Sequence, residues 1–165
     1  MQTIDEVVEI AAAIPGCEVL PPAGQPKLSS KRHKLPKDLR RFYELAGGAS
    51  LFGGFRVVTP KEFEPANPVL LPKDVYSKYR KDFALSDSWY LICVNGGPDE
   101  AISIDLAANR SGRCYDSFHE VHGTGDSLII AQSFTELLFR LLDNRGRIWW
   151  EGSKGFSYGH AFDNI

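Results

Sequence analysis

The sequence predicts an α+β fold, a mainly antiparallel sheet of about five to six strands with helices packed on one face. Three observations carry this expectation. Amphipathic helical spacing is strongest before residue 47 and after residue 132, while between them "WYLICV", "AISIDL" and "RCYDSF" follow as short apolar or alternating runs parted by turn residues. The length is the third: 165 residues suffice for one proper core and are short for two, so residues 1–165 are expected to form a single domain.

Thr3 and Glu6 make a capping box, and Ile4, Val7, Val8 and Ala11 recur at helical spacing before Pro15 and Gly16, so the first helix is expected at about 4–13. Residues 15–34, rich in Pro, Ser and Lys, are expected to be an irregular surface connection. In "LPKDLRRFYELAGG", Leu35, Leu39, Phe42 and Ala46 line one face while Lys37, Arg40, Arg41 and Glu44 point away. Pro36 suits the first turn of that helix, and Gly47 offers the left-handed residue that ends one. Next, "GGFRVVTP" changes period, with Phe55, Val57 and Val58 predicting a strand after a tight reversal.

"KEFEPANPVLLPKD" reads as irregular, and residues 74–83 as a helix with Val75, Tyr79 and Phe83 on one side. "WYLICV", residues 89–94, has the near-continuous apolar character of a strand in the middle of a sheet. "AISIDL" and "RCYDSF" follow it around "AANRSG", which supplies hairpin residues, so the three make a meander. "SFTELLFRLLDNRG" gives a last helix, with Ser133 and Glu136 as a second capping box, an apolar stripe from Phe134 to Leu141 and Gly146 as the stop. An edge strand at Ile148–Glu151 is expected in the aromatic tail.

The composition narrows function mostly by exclusion. No apolar run approaches the roughly 20 residues of a membrane span, and "MQTIDEVVEI" carries acids where a secretory leader has basic residues, so a cytoplasmic location is expected. Cys17, Cys93 and Cys114 are an odd number without ligand-like spacing, which suits a reducing compartment and burial. Residues 1–86 hold 13 Lys/Arg against 10 Asp/Glu, whereas residues 87–165 hold 6 against 11. One basic stretch, "KLSSKRHK", followed by an acidic half is a poor footprint for binding nucleic acid, and a solvated loop explains it better.

Chemistry is equally sparse. His119 and His122 stand as "HEVH" near Asp116 and Asp126, but they follow a strand and run into a loop without a second ligand pair, so solvated loop histidines are expected and no metal. Ser111 sits on a hairpin tip with no base to activate it, and neither Cys93 nor Cys114 has one. "GGASLFGG" lacks a phosphate-binding lysine, and Asp99 with Glu100 are turn residues too wet to act as general acids. No catalytic residue and no cofactor are expected.

In order and spacing, three pieces resemble the SMI1/KNR4 (SUKH) superfamily. "LPKDLRRFYELAGG" resembles its leucine-proline helix ending in glycine, "AISIDLAANRSGRCYDSFHE" its strand, turn and strand followed by a His-acid pair, and "IAQSFTELLFRLL" its helix entry. The resemblance covers about residues 35–142 and leaves an aromatic extension at 147–165. It implies a non-catalytic protein-binding domain: an immunity protein that binds a cognate bacterial toxin, often a nuclease, or a regulatory module that binds an endogenous protein. A small-molecule enzyme is the remaining alternative, and oligomeric state stays open. For a protein partner, Asp99, Glu100, Asp116, Glu120 and Asp126 lie in or beside turns where they could steer a basic surface, solubility being the bland alternative. Tyr115, Trp149, Trp150 and Tyr158 are candidate anchors, with core or edge packing the alternative for each.

Overall fold

A computed structural model of the protein describes residues 2–163. Seven strands pair in chain order as an uninterrupted antiparallel meander: β1 (Cys17–Val19), β2 (Ala49–Leu51), β3 (Arg56–Val57), β4 (Trp89–Asn95), β5 (Gly97–Asp105), β6 (Cys114–Asp116) and β7 (Ile129–Ala131). β4 is the central strand, as its apolar run predicts. The count exceeds the expected five to six because β1, β2 and β7 are three residues each, too short for an alternating pattern to register. β1 lies inside the stretch expected to be irregular, and pairing with β2 fixes it there.

Directly opposed residues share a face of a sheet. Ile102 opposes Asp116, Ile104 opposes Cys114, and Ser103 opposes Tyr115, so the first two pairs look one way and the third the other. Helices α1 (Ile4–Ala13), α2 (Lys37–Leu45) and α5 (Phe134–Asp143) pack on one another over the Ile104–Cys114 face. An aromatic chain ties this layer to the sheet: Phe134 meets Phe42, Phe42 meets Tyr43, Tyr43 meets Phe63, and Phe63 stacks on Tyr90 with ring centres 5.2 Å apart. Asp38 at the start of α2 accepts from the Thr135 backbone N–H (2.8 Å) and hydroxyl (2.9 Å), which locks the start of α5 to that of α2.

Over the other face stand α3 (Ala66–Leu70) with α4 (Lys73–Lys78), two 3-10 turns at Arg80–Phe83 and Leu85–Ser88, and the loop after β6. α3 falls in "KEFEPANPVLLPKD", where irregular chain was expected; Pro65 supplies its N-cap position and five residues are too few to show a period. The helix expected at 74–83 starts at Lys73, ends at Lys78 and continues only as a 3-10 turn.

The turns hold two corrections about glycine. Gly47 does not take the left-handed conformation; its place is a close approach, because a Cβ there would collide with the Pro21 carbonyl, whose chain runs alongside. The Gly47 N–H bonds to Leu20 O and the Leu20 N–H to Gly48 O, so the end of α2 extends the β1–β2 ladder. α5 ends in a Schellman motif with Arg145 at φ 54°, the Arg145 N–H reaching Leu142 O and the Gly146 N–H reaching Leu141 O at 2.7 Å. Gly146 then lies against Gly54 and Leu51, and its carbonyl accepts from the Phe55 N–H at 2.9 Å, which clamps the β2–β3 hairpin to the end of α5.

The capping box of α1 is complete. That of α5 is half made: Ser133 Oγ accepts from the Glu136 N–H, while Glu136 reaches the Gln132 N–H instead of Ser133. The tail forms no strand at Ile148–Glu151. Residues 158–161 cover the β7 edge instead, with Tyr158 N–H to Ile129 O, Ile129 N–H to Gly159 O and Ala161 N–H to Ser127 O.

Candidate partner-binding cleft

Buried polar groups divide between the two faces of the sheet, and the division separates structure from candidate function. On the face away from the long helices, Asp105 is fully buried and satisfied. Its Oδ1 accepts from the Ser88 hydroxyl (2.6 Å) and the Ala107 N–H (2.9 Å); its Oδ2 accepts from Arg110 Nε (2.8 Å) and the Tyr115 hydroxyl (2.8 Å). Tyr115 stacks on Trp89 at 3.8 Å between ring centres, and His122 meets the same indole edge-on. Both His122 nitrogens are engaged, Nδ1 with Ser117 Oγ (2.9 Å) and Nε2 with Asn67 Oδ1 (2.8 Å). Burial pushes its pKa down to about 4, so the ring is neutral at physiological pH.

The expectation of solvated loop histidines therefore holds for His119 alone. His122 is core, which short-range sequence cannot reveal because its partners Asn67 and Trp89 come from far upstream.

At one end of the sheet three segments, together with Phe55 just before β3, meet around a cleft of about 520 Å³. The first is the tight β4–β5 turn, where Gly96 at φ 80° allows the reversal and Asn95 Nδ2 donates to Glu100 Oε2 at 2.8 Å. The second follows β6: Asp116 Oδ1 accepts from the Phe118 N–H (3.0 Å), and the His119 N–H bonds to Asp99 O, which ties this turn to the hairpin. The third follows α5 and brings Arg147, Ile148, Trp150 and Glu151. Trp150 is held by Phe55 and by an edge-on contact with Trp149, ring centres 4.8 Å apart.

Asp116 is the unusual group in this cleft. It is 7% exposed, its Oδ2 has no hydrogen-bond partner among the described residues, and no Lys or Arg forms an ion pair with it there. Burial raises its pKa and the neighbouring Glu151 charge adds to that, while the Phe118 N–H and the Trp150 indole oppose the rise. The Trp150 N–H lies near enough to stabilise the carboxylate but closes no hydrogen bond; it is buried and unpartnered.

Of the residues singled out from sequence, Glu100, Asp116 and Trp150 line the cleft. Asp99 and Glu120 are exposed beside it, joined through the bond from His119 to Asp99. Trp149 is half-buried behind Trp150. Tyr115 belongs to the core on the opposite face and offers a partner no surface, and exposed Asp126 does not line the cleft. Phe55, Phe118, Arg147 and Glu151 are lining residues that sequence reasoning missed; they are scattered over 97 positions of chain, and no local pattern joins them.

A larger groove, about 1010 Å³, runs between the start of α1, α5 and the tail, with Phe139, Tyr158, Glu6 and Glu136 in its walls. Its two carboxylates are already committed: Glu136 accepts from the Tyr158 hydroxyl (2.6 Å) and Arg140 (2.8 Å), and Glu6 completes the α1 cap. No helix among the described residues is long and apolar enough to cross a membrane.

Comparison with known proteins gives two findings. The model of the SMI1 / KNR4 family (SUKH-1) matches residues 29–140. Over 169 aligned positions the chain is 39% identical to the immunity protein YokJ of Bacillus subtilis (strain 168), an alignment that takes in 99% of this chain and 98% of that protein. No solved structure matches.

Proposed function

This chain belongs to the SMI1/KNR4 (SUKH-1) family, and from that premise we propose that it is an immunity protein, one that neutralises a cognate bacterial toxin by stoichiometric binding and without catalysis. The observation that carries the reading is its end-to-end likeness to an immunity protein, which includes the aromatic tail that the family match leaves out. The cleft agrees in its chemistry. Glu100, Asp116 and Glu151 face a single Arg147 there, an excess of negative charge suited to steering a basic partner such as a nuclease domain in the cytoplasm.

The test is co-expression of the full chain with the toxin domain of a large secreted protein encoded beside it, scored by cell survival and copurification. Survival with a 1:1 complex is expected. Dead cells and no complex across the neighbouring toxin domains would overturn the reading.

A further inference from the structure

Resting on the immunity reading, we propose that the cleft around Asp116 is a socket for one arginine side chain of the toxin, its guanidinium set against the Asp116 carboxylate and the aromatic wall of Phe118 and Trp150. Three independent features converge on that occupant. The first is an incomplete hydrogen-bond set: Asp116 is 7% exposed, and its Oδ2 accepts no hydrogen bond among the described residues and opens to solvent in the cleft, whereas Asp105, one strand away, has both oxygens filled from within the fold. A largely buried carboxylate with only solvent at one oxygen is less stable than one paired with a cation, and a cation supplied from outside offsets that cost.

The second is the wall. The Trp150 indole lines the cleft with its N–H on the Asp116 side, and Phe55 and Phe118 stand with it around the opening. Flat aromatic faces favour a delocalised planar cation over a compact, strongly hydrated ammonium. The third is charge. Glu100 and Glu151 stand at the exposed rim and extend the negative potential outward, so a cation is drawn to the opening before it meets the floor. Arg147 is the one cation lining the cleft, and it makes no ion pair among the described residues.

The socket can be tested apart from the toxin. Ethylguanidinium chloride and its neutral isostere ethylurea are titrated into the free protein, and the Trp150 indole N–H and Phe118 amide signals are followed by NMR. Saturable shifts at these two groups with ethylguanidinium, absent with ethylurea and lost in Asp116→Asn, are expected. Equal responses to both probes, or a variant that responds like wild type, would overturn the proposal; the two-probe comparison on wild type needs no variant to fold.

Toxin binding supplies the second arm. Asp116→Asn should weaken it about tenfold or more, the scale expected when a desolvated charge pair loses one charge. If wild type and variant neutralise the toxin equally, the socket is wrong and the immunity reading stands. If wild type binds no neighbouring toxin while the probe shifts appear, the immunity reading fails and the cation site stands.

Discussion

Asp105 and Asp116 are both buried carboxylates at the ends of adjacent strands, yet they lie in opposite kinds of site. Asp105 is fully enclosed and receives four hydrogen bonds, one of them from a guanidinium. Among the described residues Asp116 receives one, from the Phe118 N–H, and looks into a cleft whose one lining cation, Arg147, leaves it unpaired. Folding resolves the electrostatics of the first site completely and leaves the second unresolved. The difference teaches where to look for function in a chain without catalytic signatures: a satisfied buried charge holds the fold, and an unsatisfied one at an opening awaits a partner.

The sharpest way to break the comparison is to remove the satisfied charge. Asp105→Ala leaves Arg110, Tyr115 and Ser88 without their common acceptor in a buried setting, and about 3–5 kcal/mol of stability should be lost. Urea unfolding at pH 7 measures it. A loss below about 1 kcal/mol would show that the network relaxes and that burial alone does not distinguish the two aspartates.

His122 tests the same face by pH. Its pKa falls from 6.5 to about 4 on folding, so between those values the unfolded chain takes up a proton that the native ring refuses. Its contribution is fully present above pH 6.5, is lost as pH falls, and stops changing below about 4. The gap corresponds to about 3 kcal/mol. His122→Gln, which keeps a donor and an acceptor, should flatten the slope of stability between pH 6.5 and 5, above the range where most carboxylates titrate. Urea titrations of both proteins across this range would show it, and parallel slopes would place the proton uptake elsewhere.

Legibility in the sequence follows the same divide. The long elements were readable because each has a local pattern: a complete capping box for α1, an apolar stripe for α2 and α5, and the apolar run of β4. The motifs that carry the family resemblance turn out to be internal fasteners. Asp38 of the first motif grips Thr135 of the third, and Asp105 and Tyr115 of the second bond to each other. Tyr115 is a poor anchor because Asp105 and Trp89 hold it in the core, whereas Asp116 and Phe118 of the same motif open onto the cleft. β1, β2, β7 and α3 escaped because elements of three to five residues are set by tertiary pairing, not by their own period. The cleft was visible only in part, as Glu100, Asp116 and Trp150 without their neighbours, because four separate segments close around it.

Asp116→Asn should give the reverse of the Asp105 result. The folded pKa of Asp116 is raised, so holding it ionised costs stability at pH 7, and the cost disappears as pH falls through the folded and then the unfolded value. The neutral isostere keeps the bond from the Phe118 N–H, and a gain of about 0.5–1 kcal/mol is expected together with weaker toxin binding. Stability lost along with binding would mean that Asp116, like Asp105, serves the fold.

The smallest effect on stability belongs to the rim, and that makes it the cleanest probe of function. Glu100 and Glu151 are exposed and no Lys or Arg forms an ion pair with either among the described residues, so Glu100→Gln with Glu151→Gln should move stability by no more than about 0.5 kcal/mol. Long-range attraction acts on encounter before it acts on the bound state, so the double variant should slow association with the toxin and flatten its salt dependence while dissociation changes little. Stopped-flow association at low and moderate ionic strength separates these outcomes. If association is unchanged and unfolding shifts instead, the rim acids support the hairpin through the Asn95–Glu100 bond, and the charge that recognises the partner lies elsewhere on the acidic half of the chain.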